Sequence, residues 1–170
     1  MLRVAGIVAL FVALTACGPT PVTTVASPSP VIAQGTWTEG LTFTGDMPGQ
    51  MTAIVADTGG LLSACTGSKS RTGDVWADTF YGTLDSSGQI WGVVFTVKNF
   101  SGPGTYSTGA MTIEMHSLDA TQVWLSLDGD KVNFTIDRTQ QSGTIDSTLT
   151  NATTGKAAAE HVTGRWNCRG

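Results

Sequence analysis

The fold is indicated most directly by residues 111–116, which read MTIEMH. The apolar residues of this stretch fall on one side of an extended chain, and the polar residues between them fall on the other. The same alternation recurs at residues 132–136 and 145–150, and no stretch within residues 34–170 repeats with the period of a helix. Such alternation is typical of antiparallel sheets that keep one face in water.

Three short polar segments separate the alternating runs: DSSG at 85–88, DGDK at 128–131 and TTGK at 153–156. Residues of these types favour tight turns. The spacing of turns and runs predicts an all-β fold, an antiparallel β-sandwich or barrel of roughly nine strands. Residues 90–97, IWGVVFTV, are apolar on both faces, which predicts a strand that is covered on both sides or that faces a cavity. One short alanine run near residues 154–160 is the only helix candidate.

The composition excludes several classes of function. The chain has 170 residues, which is enough for one domain with accessory segments. Only nine residues are Lys or Arg and the net charge is −4, whereas nucleic-acid-binding domains are normally basic. The sequence contains no H-E-x-x-H, no G-x-S-x-G and no phosphate-binding glycine loop. We therefore expect a protein that is not an enzyme, uses no cofactor and binds no nucleic acid.

The first 16 residues have the pattern of a secretory signal peptide. Arg3 precedes an apolar run from Val4 to Leu14, which has the length of the hydrophobic region of a signal peptide and is too short to span a membrane. The run ends in Leu14-Thr15-Ala16-Cys17, which resembles the bacterial lipobox. That resemblance implies a diacylglycerol on Cys17 and anchoring to the bacterial cell membrane or outer membrane, with the domain facing the periplasm or the exterior. The alternative is an ordinary signal peptide, with Cys17 incidental.

Residues 17–33 are predicted to form a tether between this anchor and the domain. They contain four of the six prolines and no charged residue. This composition favours an extended spacer over a packed element. The predicted organisation is therefore a signal peptide (1–16), a lipidated cysteine with its tether (17–33) and a β domain (34–170).

The same organisation resembles that of small exported bacterial lipoproteins. It is similar in particular to the mycobacterial 19-kilodalton lipoprotein antigens, which also end in a disulfide-bonded cysteine. With Cys17 assigned to lipid, Cys65 and Cys168 are predicted to form a disulfide that closes a loop of about 100 residues. Two free thiols are the alternative. A metal site is less well supported, because two isolated thiols do not make a tetrahedral ligand set.

Two aromatic residues are candidates for ligand binding. Trp124 is predicted to face outward, because its strand is expected to bury Val123, Leu125 and Leu127. Tyr81 is predicted to lie on the opposite face from its apolar neighbours. An outward aromatic ring can stack on a sugar or anchor a partner, and it can equally lie under a loop. The other four tryptophans are predicted to lie in the core: Trp37, Trp76, Trp91 and Trp166.

Metal binding receives little support from the acidic and histidine residues. Glu114 and His116 share a strand face, but two ligands are too few for a metal site. Asp128 and Asp130 flank a glycine and are compatible with weak calcium binding if a third carboxylate is near. The chemistry of a hairpin turn explains the same pattern without a metal.

Together these observations predict a membrane-anchored exported lipoprotein whose non-enzymatic β domain binds a partner or supports the cell envelope. The partner would be an envelope protein, a glycan or an apolar ligand. Two alternatives are a carrier that holds an apolar ligand in a β cavity and a carbohydrate-binding surface module.

Overall fold

The computed structural model describes residues 37–55, 57–65 and 75–168. The predicted signal peptide, Cys17 and the tether therefore lie outside the described residues. Within them the strands are β1 (Trp37–Gly45), β2 (Gly49–Val55), β3 (Asp57–Thr58), β4 (Leu61–Leu62), β5 (Ala64–Cys65), β6 (Trp76–Leu84), β7 (Ile90–Val97), β8 (Gly104–Ser107), β9 (Met111–Ser117), β10 (Val123–Leu125), β11 (Val132–Ile136), β12 (Ser142–Asn151) and β13 (Glu160–Cys168).

The described residues contain no helix, and the stretch 154–160 forms turns followed by the start of β13. Accordingly, no apolar helix of membrane-spanning length occurs in this part of the chain. The predicted all-β class is confirmed.

The strands close into an antiparallel barrel rather than a sandwich. Its eight strands follow one another around the circumference in the order β1, β2, β6, β7, β9, β10, β12 and β13, and β13 pairs back onto β1. Because neighbours in the chain are neighbours in the barrel, this is an up-and-down topology. The closing pair β1–β13 runs over nine residue pairs, from Trp37↔Cys168 to Gly45↔Glu160.

The remaining strands extend or decorate this barrel. β11 pairs with the first half of β12, and β8 pairs with β11, whereas β10 pairs with the end of β12. β3 and β4 form a separate small hairpin, and β5 pairs with β6. The barrel therefore has two different ends. We call the end that carries residues 37, 76 and 168 the terminus end, and the end that carries the turns at 46–48, 85–89, 118–122 and 152–159 the hairpin end.

The barrel interior is filled by aromatic side chains. Phe95 lies 5.2 Å from Phe80 and 4.6 Å from Phe134, measured between ring centroids, and Trp166 lies 5.3 Å from Trp76. Phe134 stacks parallel to Trp166 at 5.5 Å, although it comes from the accessory strand β11. These rings are buried, and each contributes roughly 1.5–3 kcal/mol through burial. Three of the four tryptophans predicted for the core are confirmed there, while the side chain of Trp37 lies outside the description.

The expected outward orientation of Trp124 is wrong. Its side chain is only 3% exposed, and its ring packs edge-on against Trp91 at 5.7 Å. Trp124 pairs directly with Met115, which faces the interior, and residues directly opposite each other on paired strands share a face. Leu127, expected to be buried, lies beyond the end of this three-residue strand and is 44% exposed.

Candidate functional site

Tyr81 lies on the barrel exterior and is nevertheless covered. It follows the inward-facing Phe80 on β6, and its ring lies 6.1 Å from that of His116 in an edge-to-face arrangement. Gly92 lies between these two rings, and a Cβ there would come within 3.0 Å of Tyr81 and 2.5 Å of His116. Tyr81 is therefore part of a packed outer layer and offers no open stacking platform, and Trp124 offers none on the outer surface.

Of the carboxylates considered for metal binding, Asp130 serves a hairpin turn. Asp130 is buried and accepts hydrogen bonds from the Leu127 amide at 2.9 Å and from the Thr150 hydroxyl at 2.8 Å. His116 contacts the Ser117 carbonyl through Nδ1 at 2.9 Å. Across the described ranges, no group of three His, Cys, Asp or Glu side chains comes together in a way that suits a metal ion.

A polar surface covers the outer face of five adjacent strands, β1, β13, β12, β11 and β8, which we call the polar wall. Strand alternation places apolar residues of these strands inside and mainly Thr, Asn, Ser and charged residues outside. Residues of neighbouring strands stand directly opposite each other, so the wall is organised in rows. Two such rows are Gly40, Arg165, Thr144, Thr135 and Thr105, and Thr42, Thr163, Asp146, Asn133 and Ser107.

A groove of about 440 Å³ lies in this wall, and we call it the wall groove. Its size falls within the range of small-molecule sites. A Cβ at Gly40 would meet no atom within 4 Å, so the groove stays open beside this glycine. The lining includes Gly40, Thr135, Asp137, Thr144, Arg165 and Asn167.

Two acidic residues of the wall, Asp146 and Asp137, are held by hydrogen bonds from neighbouring side chains. Asp146 accepts hydrogen bonds from His161 at 2.8 Å and Lys131 at 3.1 Å, and these partners, His161 first, lower the pKa of its carboxyl. Burial acts to raise the pKa of Asp137, but hydrogen bonds, led by that from the Ser142 hydroxyl, hold it below its usual value. Both acids of the wall are thus already engaged by donors.

A second groove, of about 510 Å³, opens at the hairpin end between the turns at 85–89 and 118–122. Mouths of β-barrels are frequent ligand sites. Trp91 contributes to its lining but is almost fully buried, so its ring face is not available for stacking. The other lining residues include Gln89, Ser117, Asp119, Thr121 and Gln122.

Two carboxyl groups point into the barrel. Glu39 is 8% exposed, neither of its oxygens has a hydrogen-bond partner among the described residues, and burial raises its pKa to about 8. It fits because Gly82 has no side chain: a Cβ there would lie 2.5 Å from Glu39 Oε1. Because its pKa lies above 7, Glu39 is protonated at neutral pH. Burial also raises the pKa of Glu160, whose Oε2 accepts a hydrogen bond from the Met47 amide at 2.7 Å.

Sequence reasoning missed the polar wall and its groove. The threonines at positions 42, 44, 135, 144, 148 and 163 alternate with apolar residues, so their outward direction was readable. Their proximity was not, because residues 40, 165 and 144 become neighbours only through pairing of distant strands.

Comparison with known proteins returned no match. No family model fits the chain, and no similar curated protein or solved structure was found. What the chain binds is therefore inferred from its own residues and geometry.

Proposed function

We propose that the chain is an exported, lipid-anchored binding protein without catalytic activity, and that it binds a component of the cell envelope at the polar wall. The wall groove carries this proposal, because it is concave and several polar side chains converge on it. The close-packed aromatic interior supports it further, since a filled barrel holds the wall rigid.

Among the alternatives, a carbohydrate-binding module is better supported than a carrier of apolar ligands. The rings of Phe95, Phe134 and Trp166 occupy the centre of the barrel, where an apolar ligand would otherwise lie. The wall groove and the second groove instead present hydroxyl, amide and charged groups, which suit a ligand rich in hydroxyls.

Lipid anchoring is supported by the segment Leu14–Cys17 and its apolar leader. We predict that a Cys17→Ser protein is released from the membrane fraction, because two acyl chains give stable anchoring and the remaining sequence has no basic membrane-binding segment. Fractionation followed by immunoblotting measures this, with Cys168→Ser as the matched control that keeps the anchor. Retention of Cys17→Ser in the membrane would contradict the proposal.

A disulfide between Cys65 and Cys168 is part of the same proposal. The side chain of Cys65 lies outside the description, but its strand places it opposite Asp78 on β6. Two residues before Asp78, the Trp76 ring lies 5.3 Å from that of Trp166, which precedes Cys168 by two residues on β13. This approach of β6 to β13 at the terminus end supports the pairing.

Binding at the polar wall is tested by filling the groove. We predict that Thr144→Trp abolishes binding of the Cys17→Ser protein to purified cell-envelope polysaccharide, because the larger ring occupies the groove. Thr44→Trp, on the same wall but outside the groove lining, is the matched control and should bind normally. Sedimentation with the polysaccharide measures both, and equal binding of the two variants would overturn the site.

A further inference from the structure

Arg165 lines the wall groove, and its guanidinium has no protein partner among the described residues. It is exposed, and it lies opposite Gly40 on one side and Thr144 on the other. Within the described part of the chain, its guanidinium forms no ion pair and no hydrogen bond. Because Gly40 has no side chain and that of Thr144 is short, the neighbouring strands leave room beside this cation.

Among the described residues, no acid forms an ion pair with Arg165. Asp146 is held by Lys131 and His161 on the adjoining row. Asp137, which lines the same groove, accepts the hydroxyls of Ser142 at 2.5 Å and Thr139 at 2.7 Å. Glu39 precedes the facing glycine but points into the barrel toward Gly82 and is protonated at neutral pH. Arg165 is thus a cation without an ion-pair partner among the described residues, while the Asp137 carboxylate on the same groove keeps its charge and is held by hydroxyl groups.

A row of hydroxyl groups continues from Arg165 across the wall. Thr144, Thr135 and Thr105 stand on successive strands, and the hydroxyls of Thr105 and Thr135 are 3.3 Å apart. With strands about 4.8 Å apart, the row extends roughly 14 Å from the arginine. Each hydroxyl both donates and accepts hydrogen bonds, as the hydroxyls of a sugar do.

We propose that the wall groove binds an anionic saccharide, in which a sugar carboxylate pairs with Arg165 and the sugar hydroxyls bind along the threonine row. This inference rests on the proposed function and names the ligand class of the same site. A planar guanidinium holds a carboxylate through two parallel hydrogen bonds, which gives both affinity and orientation. A neutral sugar would leave that pairing unused.

The test compares two short oligosaccharides of equal length, one of galacturonic acid and one of galactose. Isothermal titration of the full chain carrying Cys17→Ser should show binding of the galacturonate oligomer and much weaker binding of the neutral one. Arg165→Gln should weaken galacturonate binding roughly 10-fold or more, because a charge-assisted hydrogen-bond pair is lost. Arg165→Lys should recover only part of the affinity, because an ammonium lacks the planar fork.

Lys98→Gln is the matched control, since it removes one exposed positive charge outside the groove lining and should leave affinity unchanged. Equal loss in both variants would overturn the site, because it would indicate a general charge effect. Equal binding of the two oligomers by the wild type, or binding of neither, would overturn the ligand class. The proposal that the polar wall binds an envelope component has its own test, and it would be overturned if Thr144→Trp and Thr44→Trp bound envelope polysaccharide equally well.

Discussion

Glu39 shows how a single residue departs from the pattern of its strand. It occupies an inward position of β1 between apolar neighbours, directly opposite Trp166. A buried carboxyl without hydrogen-bond partners is stable only in its neutral form, which is why its pKa rises to about 8. Its ionisation is therefore coupled to folding.

This coupling predicts a stability that depends on pH. The folded protein binds the Glu39 proton more tightly than the unfolded chain, in which the carboxyl has its ordinary pKa of 4.5. The stabilisation is complete below pH 4.5 and is lost as the pH rises to about 8, with an upper bound on the order of 5 kcal/mol. Glu39→Gln should abolish this loss and exceed the wild type in free energy of unfolding at pH 9.

Urea denaturation at pH 5 and pH 9 measures the difference. Glu114→Gln is the matched control, because it makes the same change on the outward side of β9, and we expect no pH-dependent gain from it. A gain from Glu39→Gln that is the same at both pH values would contradict the assignment.

At the scale of elements, β11 contributes to the core of the barrel although it is not one of the eight barrel strands. Its Phe134 packs against Phe95, Trp76 and Trp166, which belong to three barrel strands. This one strand therefore completes the aromatic interior. It also supplies Thr135 to the wall groove from its opposite face.

We predict that Phe134→Ala lowers the free energy of unfolding by roughly 3–5 kcal/mol, because it leaves a cavity at the centre of the aromatic cluster. The neighbouring Asn133→Ala is an exposed control and should change it by no more than about 0.5 kcal/mol. Urea denaturation measures both variants. Equal effects of the two substitutions would show that β11 does not stabilise the interior.

Elements were predictable from sequence to the extent that their pattern is local. Alternation identifies β9 and β11, and the turn at 85–88 lies between β6 and β7 as expected. The sequence pattern predicts the wrong face for Trp124 because β10 has only three residues, so the orientation of Trp124 is set by pairing with β9 and not by the pattern of β10 itself. The neighbours of Arg165 cannot be predicted from the sequence for a related reason, because the register between strands depends on residues that are distant in the chain.

At the scale of the molecule, the proposed disulfide would join the short strand β5, which carries Cys65, to β13, which carries Cys168. We predict that reduction, or Cys168→Ser, lowers the free energy of unfolding by about 4–5 kcal/mol, because a loop of about 100 residues is released in the unfolded state. Denaturation with and without reductant measures this. Cys17→Ser is the control and should retain the dependence on reductant, whereas a wild type insensitive to reductant would contradict the pairing.

The seam between β1 and β13 also has a consequence for the biogenesis of the protein. A chain that leaves a ribosome or an export channel amino end first delivers β1 early and β13 only after every other barrel strand. Until then, β1 and β12 each lack β13 as the partner on one edge, and the barrel has two open edges. Because closure of the barrel requires β13, the complete barrel can form only after residues 160–168 have been synthesised.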